Sequence, residues 1–83
     1  MAIKVSLRKK TISQGRKSLY LDFYPAIPHP KTGVPTRREF LGLYIFDKPR
    51  NIIDKQHNVN TLNLAEQIRQ KRENFLNKPE IIQ

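Results

Sequence analysis

Ser18-Leu19-Tyr20-Leu21-Asp22-Phe23-Tyr24 is the stretch whose reading decides the fold. Leu19, Leu21 and Phe23 recur at every second position, the period of a half-buried strand, so Tyr20, Asp22 and Tyr24 face the other way. Toward the N-terminus the pattern lapses at Ser13-Gln14-Gly15-Arg16-Lys17, where Gly15 supplies a positive-φ turn position. It resumes at Ile3-Lys4-Val5-Ser6-Leu7-Arg8, with Ile3, Val5 and Leu7 on one face and Lys4, Ser6, Arg8 and Lys10 on the other. Two alternating runs joined by a short turn predict an antiparallel hairpin with strands at about 3–10 and 18–24.

On the C-terminal side, residues 25–36 (PAIPHPKTGVPT) hold four of the six prolines and one of the three glycines. Proline removes ladder donors and restricts its predecessor, so the segment reads as a loop with its tip at Lys31-Thr32-Gly33. A proline-rich recognition ligand is the other reading of such a segment. The third strand is expected at 37–45, with Leu41, Leu43 and Ile45 on one face and Arg38, Phe40, Gly42 and Tyr44 on the other. Gly42, in mid-strand, marks a bulge or a close approach of another backbone.

Residues 47–57 (DKPRNIIDKQH) are polar and read as an irregular linker broken by Pro49. Beyond them the period changes. Thr61, Leu64, Ala65, Ile68, Arg72, Phe75 and Leu76 recur at three- and four-residue intervals, predicting a helix over about 59–77. Asn58 or Asn60 would cap its start, and Asn77-Lys78-Pro79 would end it. Its other face, from Asn63 and Glu66 through Gln67, Gln70, Lys71 and Glu73 to Asn74, is wholly polar. One apolar helix stripe and one apolar sheet face fit each other. The expected architecture is α+β, a single domain over residues 1–83 in which a three-stranded antiparallel sheet packs on one C-terminal helix in the order β-β-β-α.

A chain of 83 residues buries only roughly 60–65% of its unfolded surface, so the core must be thin. There is no cysteine, hence no disulfide or thiolate zinc site to reinforce it, which fits a reducing cytoplasm. No stretch reaches the ~20 apolar residues of a membrane span, and MAIKVSLRKK lacks the apolar core of a signal peptide. The expectation is a cytoplasmic protein with no membrane partner.

Sixteen Lys and Arg against seven Asp and Glu give a net charge of +9. Residues 1–17 hold six of those cations and no acid, so two-thirds of the excess lies in the first fifth of the chain. Such a surface attracts polyanions, nucleic acid foremost and anionic lipid next. With the helix covering one side of the sheet, the other stays open, carrying Lys4, Ser6, Arg8, Lys10, Tyr20, Tyr24, Arg38, Phe40 and Tyr44. Cations interleaved with exposed aromatics mark a contact site. A sheet of this kind can enter the major groove of DNA, or stack single-stranded RNA bases on its rings.

Catalysis finds no constellation. Asp22, Asp47 and Asp54 show no pairing for acid–base work, His29 and His57 sit in polar or proline-rich surroundings, and Gly15, Gly33 and Gly42 are too scattered for a phosphate loop. No enzyme activity, cofactor or metal is expected.

The runs IKVSLRKKTISQGRKSLYLDFY, TRREFLGLY and NTLNLAEQIRQKRENFL together resemble the N-terminal arm-type DNA-binding domain of tyrosine recombinases, the integrases of phages and conjugative transposons, Bacteroides-like mobile elements in particular. The resemblance covers nearly the whole chain; its most specific parts are R-K-x-L-Y-L-x-F-Y, R-x-E-F-L-G-L and A-E-x-I-R-x-K-R. It implies a sheet seated in the major groove of duplex arm-type sites, which positions and regulates a recombination complex that integrates or excises a mobile element. Carried onto this chain, the groove-facing residues are Lys4, Ser6, Arg8, Lys10, Tyr20, Arg38, Phe40 and Tyr44, with Arg16 and Lys17 on phosphates and Arg37 a further DNA-binding residue. The family's core-binding and catalytic domains are separate units and lie outside these residues. Other recombinase protomers and accessory proteins are further candidate partners. The PAIPHPKTGVP segment departs from simpler members of the family. A single-strand or RNA-binding module and a protein-interaction domain stand as alternatives.

Overall fold

A computed structural model describes residues 3–29 and 31–78; Pro30 and Pro79, assigned above to the loop and the helix end, lie outside them. Strands β1 (Lys4–Ile12), β2 (Arg16–Pro28) and β3 (Pro35–Phe46) precede one helix, α1 (Ile52–Leu76). The strands form an antiparallel sheet in the order β1-β2-β3, and α1 packs against one face of it. This is the β-β-β-α arrangement expected.

The alternation of the first hairpin holds. Val5, Leu19, Leu21 and Phe23 are almost wholly buried beneath the helix, with Ile3, Leu7, Leu41, Ile68 and Leu76 around them. Ala65 sits between Leu19 and Ile45 with no exposed surface, its small side chain letting the helix approach the centre of the sheet. Gly15 has φ +68 and follows Gln14 at φ +65, the positive-φ pair a tight hairpin turn demands.

Three expectations are corrected. Half of the loop at 25–36 is strand: β2 runs on to Pro28 and β3 restarts at Pro35, with Ile27 opposite Thr36 and Pro28 opposite Pro35. The two strands are joined where hydrogen bonds from His29 N–H to Val34 O and from Gly33 N–H to His29 O close the turn. Proline is tolerated where the ladder is irregular, and the register does shift between Asp22 and Ile27.

The linker at 47–57 is also corrected, because the helix begins at Ile52. Its N-cap is Asn51, whose Oδ1 accepts from Asp54 N–H at 2.8 Å, rather than Asn58 or Asn60. The first turns escape a periodicity reading because Ile52 and Ile53 point into solvent, so no stripe announces them.

The third correction concerns the helix stripe. Leu64 and Phe75 are exposed, while Leu62 packs on the core cluster. Part of the polar face also reaches the sheet, since Glu73 accepts from Val5 N–H at 3.0 Å.

A sheet of three strands has two raw edges, and α1 covers part of both. At the β3 edge, Asn58 accepts from Phe46 N–H (2.8 Å) and donates to Phe46 O (3.0 Å). At the β1 edge, Asn77 accepts from Ile3 N–H and donates to Ile3 O, while Arg69 donates to Val5 O. Each asparagine amide thus pairs one edge residue as a further strand would, which satisfies the backbone and blocks edge-to-edge association there.

Candidate nucleic-acid interface

The strand register arranges the uncovered face in rows. Lys4 lies opposite Tyr24; Ser6, Asp22 and Arg38 form the next row; then come Arg8, Tyr20 and Phe40; then Lys10, Ser18 and Tyr44; and last Ile12, Arg16 and Phe46. The rows survive an irregularity in β3. One residue, Leu19, separates Ser18 from Tyr20, where three, Leu41 to Leu43, separate Phe40 from Tyr44. Gly42 sits in that excess with φ +71, so the bulge reading is borne out. The excess is an even number, so Phe40 and Tyr44 remain on one face and Leu41 and Leu43 stay turned to the core.

Cations lie over rings across this surface. Arg38 sits 5.2 Å from the centre of the Tyr20 ring, Arg16 5.0 Å from Tyr44, Arg37 5.8 Å from Tyr24, and Lys10 5.9 Å from Phe40. A guanidinium on an aromatic face keeps its charge while losing freedom, so part of the ordering cost of binding a polyanion is met in advance. The rings differ in access. Tyr20 is only 8% exposed, beneath Arg38 and against Phe40 at 5.0 Å, whereas Phe40 and Tyr24 are open. Tyr44 packs between Arg16 and His57.

Asp22 is the carboxylate of this face. It holds Arg8 Nε at 2.7 Å and lies 3.8 Å from Arg37. Against it stand Lys4, Arg8, Lys10, Arg16, Arg37 and Arg38, so the face keeps a strong positive excess.

Ten of the eleven residues singled out from sequence come together here. Arg37 joins by way of the irregular register, which leaves it no partner of its own on β2 and brings it to Asp22 and Tyr24. Lys17 does not join them. It lies opposite the buried Ile45, hence on the helix side, and pairs with Asp47 at 3.2 Å. Sequence reading placed Tyr24 and Asp22 on this face without treating them as site residues, and it passed over Phe46, which lies one residue beyond the expected strand end.

His57 belongs to the helix and not to a linker. Its Nε2 lies 3.0 Å from Tyr44 O and its ring packs on Phe46, so it is occupied in packing. His29 accepts from Lys31 N–H within its own turn. Among the described residues there is no cluster of three or more potential metal ligands, and no helix long and apolar enough to cross a membrane.

The family model of the Arm DNA-binding domain matches residues 5–81. The chain belongs to the Arm DNA-binding domain family. DNA is the partner this membership gives. No curated protein and no solved structure matches the chain.

Proposed function

We propose that this Arm DNA-binding domain binds duplex DNA with the uncovered sheet face in the major groove, as the arm-site module of a tyrosine recombinase. The observation that carries the reading is the interleaving of six cations with aromatic rings, four of the cations each lying over a ring, on the one sheet face that the helix leaves bare. The backbones of the outer strands stand about 10 Å apart, against a groove about 12 Å wide. Lys4, Lys10 and Arg16 lie toward the margins and suit phosphates; Ser6, Arg8, Arg38 and Phe40 lie nearer the centre and suit base edges. Strand cleavage and rejoining would fall to other domains of such a recombinase.

The stacking alternative is weakened by Tyr20, which is covered and cannot present its ring to a base. The proline-rich ligand is weakened by the pairing of residues 27–28 with 35–36, which commits that backbone to the sheet.

The test is a salt titration of duplex affinity by fluorescence anisotropy. Five or six neutralised phosphates give a log–log slope of about −4.5 to −5.5. Lys10→Ala, which removes one of the phosphate-facing cations, should flatten it by about one unit. A slope near zero, or a preference for single-stranded RNA, would overturn the reading.

A further inference from the structure

Asp22 poses a problem for a surface meant to meet a polyanion. It stands on the central strand, in the middle rows of the open face, where a bare carboxylate would repel phosphates. Its side chain is only 18% exposed because cations enclose it. Removing it would raise the positive charge of the face, so its presence calls for a use.

The geometry around Arg8 supplies one. Arg8 lies diagonally across from Asp22, since Ser6 is the direct partner of Asp22 and Tyr20 that of Arg8. The bond runs from Arg8 Nε to Asp22 Oδ2 at 2.7 Å, a short charge-assisted hydrogen bond. Binding through Nε consumes one of the five guanidinium donors and leaves the distal pair of N–H groups, one on each terminal nitrogen, free of the carboxylate. The Arg8 side chain stays 56% exposed.

The other guanidiniums of this face are held differently. Arg16 and Arg38 lie over rings, and Arg16 also donates through a terminal nitrogen to Gln14 at 3.1 Å. Arg37 lies over Tyr24 and only 3.8 Å from Asp22. Arg8 alone among them is fixed by a short bond through Nε while its terminal fork stays open to solvent.

An arginine fork of fixed orientation at the centre of a groove-facing sheet matches the two acceptors, O6 and N7, that guanine presents in the major groove. We infer that Arg8 reads a guanine through its terminal nitrogens and that Asp22 is its positioning residue, holding the fork at the angle which makes the contact bidentate. This rests on the duplex-binding reading above and assigns the base it selects. Asp22 thereby exchanges general affinity for discrimination. It lowers attraction to any phosphate backbone and sharpens the preference for one base.

Three proteins are compared: the wild-type chain, Arg8→Lys and Asp22→Asn. Each is used to select duplexes from a library with a randomised 14-base-pair segment, and the selected pools are sequenced. Wild type should enrich a guanine at one fixed position, by roughly 5- to 150-fold over other bases. Arg8→Lys, which keeps the charge but not the planar fork, should weaken that preference at that position and keep the others. Asp22→Asn should relax the same position while binding the unselected library more tightly, because one negative charge is gone. A selected duplex carrying 7-deazaguanine there, which lacks the N7 acceptor, should weaken binding of wild type more than that of Arg8→Lys.

Two results would overturn the inference. If Asp22→Asn raises affinity for selected and unselected duplexes by the same factor, the carboxylate is only a charge. If it relaxes a cytosine position that Arg8→Lys leaves intact, Asp22 reads a base itself. A wild-type chain that binds no duplex would instead sink the reading beneath. Circular dichroism of each variant separates any of these outcomes from failure to fold.

Discussion

The two faces of the sheet are built from the same strands by the same alternation, and they do opposite work. Residues 19, 21 and 23 are sealed under the helix, while their neighbours 20, 22 and 24 belong to a surface of rings, cations and one carboxylate. The covered face stabilises by removing apolar area from water, at about 25 cal/mol per Å². The open face contributes little to stability, because exposed ion pairs and cation–π contacts are each worth a kilocalorie per mole or less in water, about 0.2–1 in most measured cases. What it holds instead is charge in a fixed arrangement. A thin domain can therefore be altered on one side for stability and on the other for recognition with little crosstalk.

The largest effect should come from setting adjacent residues of the two faces against each other. Phe23→Ala empties a fully buried site and should cost about 3–5 kcal/mol, a large share of what a domain of this size has. Tyr24→Ala, next along the strand but 69% exposed, should cost about 1 kcal/mol or less, mostly its contact with Arg37. Urea denaturation of both variants measures the difference. Equal losses would break the description of one buried and one functional face.

The helix clamps come next. Asn77→Ala strips Ile3 of both its side-chain partners and should cost about 1–3 kcal/mol. Hydrogen exchange should quicken at the Ile3 amide and little at the β2–β3 ladder. Asn74→Ala, one turn earlier on the exposed side of the same helix, should be close to neutral. If the two asparagines prove equivalent, the edge pairing contributes nothing.

Gly42 marks the joint between the faces, since the bulge around it keeps Phe40 and Tyr44 on one side. A Cβ built there would meet nothing within 4 Å, so space is not what excludes a side chain. The positive φ is. Gly42→Ala should therefore cost about 1–2 kcal/mol by thermal unfolding, whereas D-alanine at 42, introduced by chemical synthesis, should cost almost nothing. Matching losses for the two enantiomers would show that the bulge, and not the backbone sign, is at fault.

The architecture was legible because strands β1 and β2 carry strict period two and most of the helix carries an apolar stripe. What escaped did so for physical reasons. The first turns of α1 pack through His57 and Asn58 rather than through aliphatic side chains, so a search for apolar spacing stops short of them. Asn58 and Asn77 are residue types that also cap helices, as Asn77 does at the end of α1, and only the register of strand against helix shows that both also pair sheet edges. The prolines of 25–28 argued against a strand, yet the long hairpin tolerates them where its ladder is irregular. Most of the candidate site was legible, since facing follows from parity. Parity misses Arg37, which an irregular register turns toward Asp22, and Lys17 was placed by its charge where parity puts it on the helix side.

The smallest effect expected concerns pH. On α1, Glu66 accepts from Arg69 at 2.8 Å, and that hydrogen bond holds its carboxyl below its ordinary value of 4.5. A carboxylate depressed by folding stabilises the native state above its unfolded pKa, and the gain is lost as pH falls through the lower folded value. Wild type should thus exceed Glu66→Gln by a constant margin at neutral pH, and the margin should shrink only below about pH 4.5. For an exposed pair three residues apart on a helix the margin is about 0.3–0.5 kcal/mol, and 0.5 M salt should reduce it. Denaturation curves at pH 7, 5 and 3 would measure it. The open face supplies the contrast: Lys10 lies over the Phe40 ring and pairs with no carboxylate among the described residues, so Lys10→Gln should shift stability by a similar amount at all three pH values. A Lys10→Gln effect that changed sharply between pH 5 and 3 would break the separation of the two surfaces.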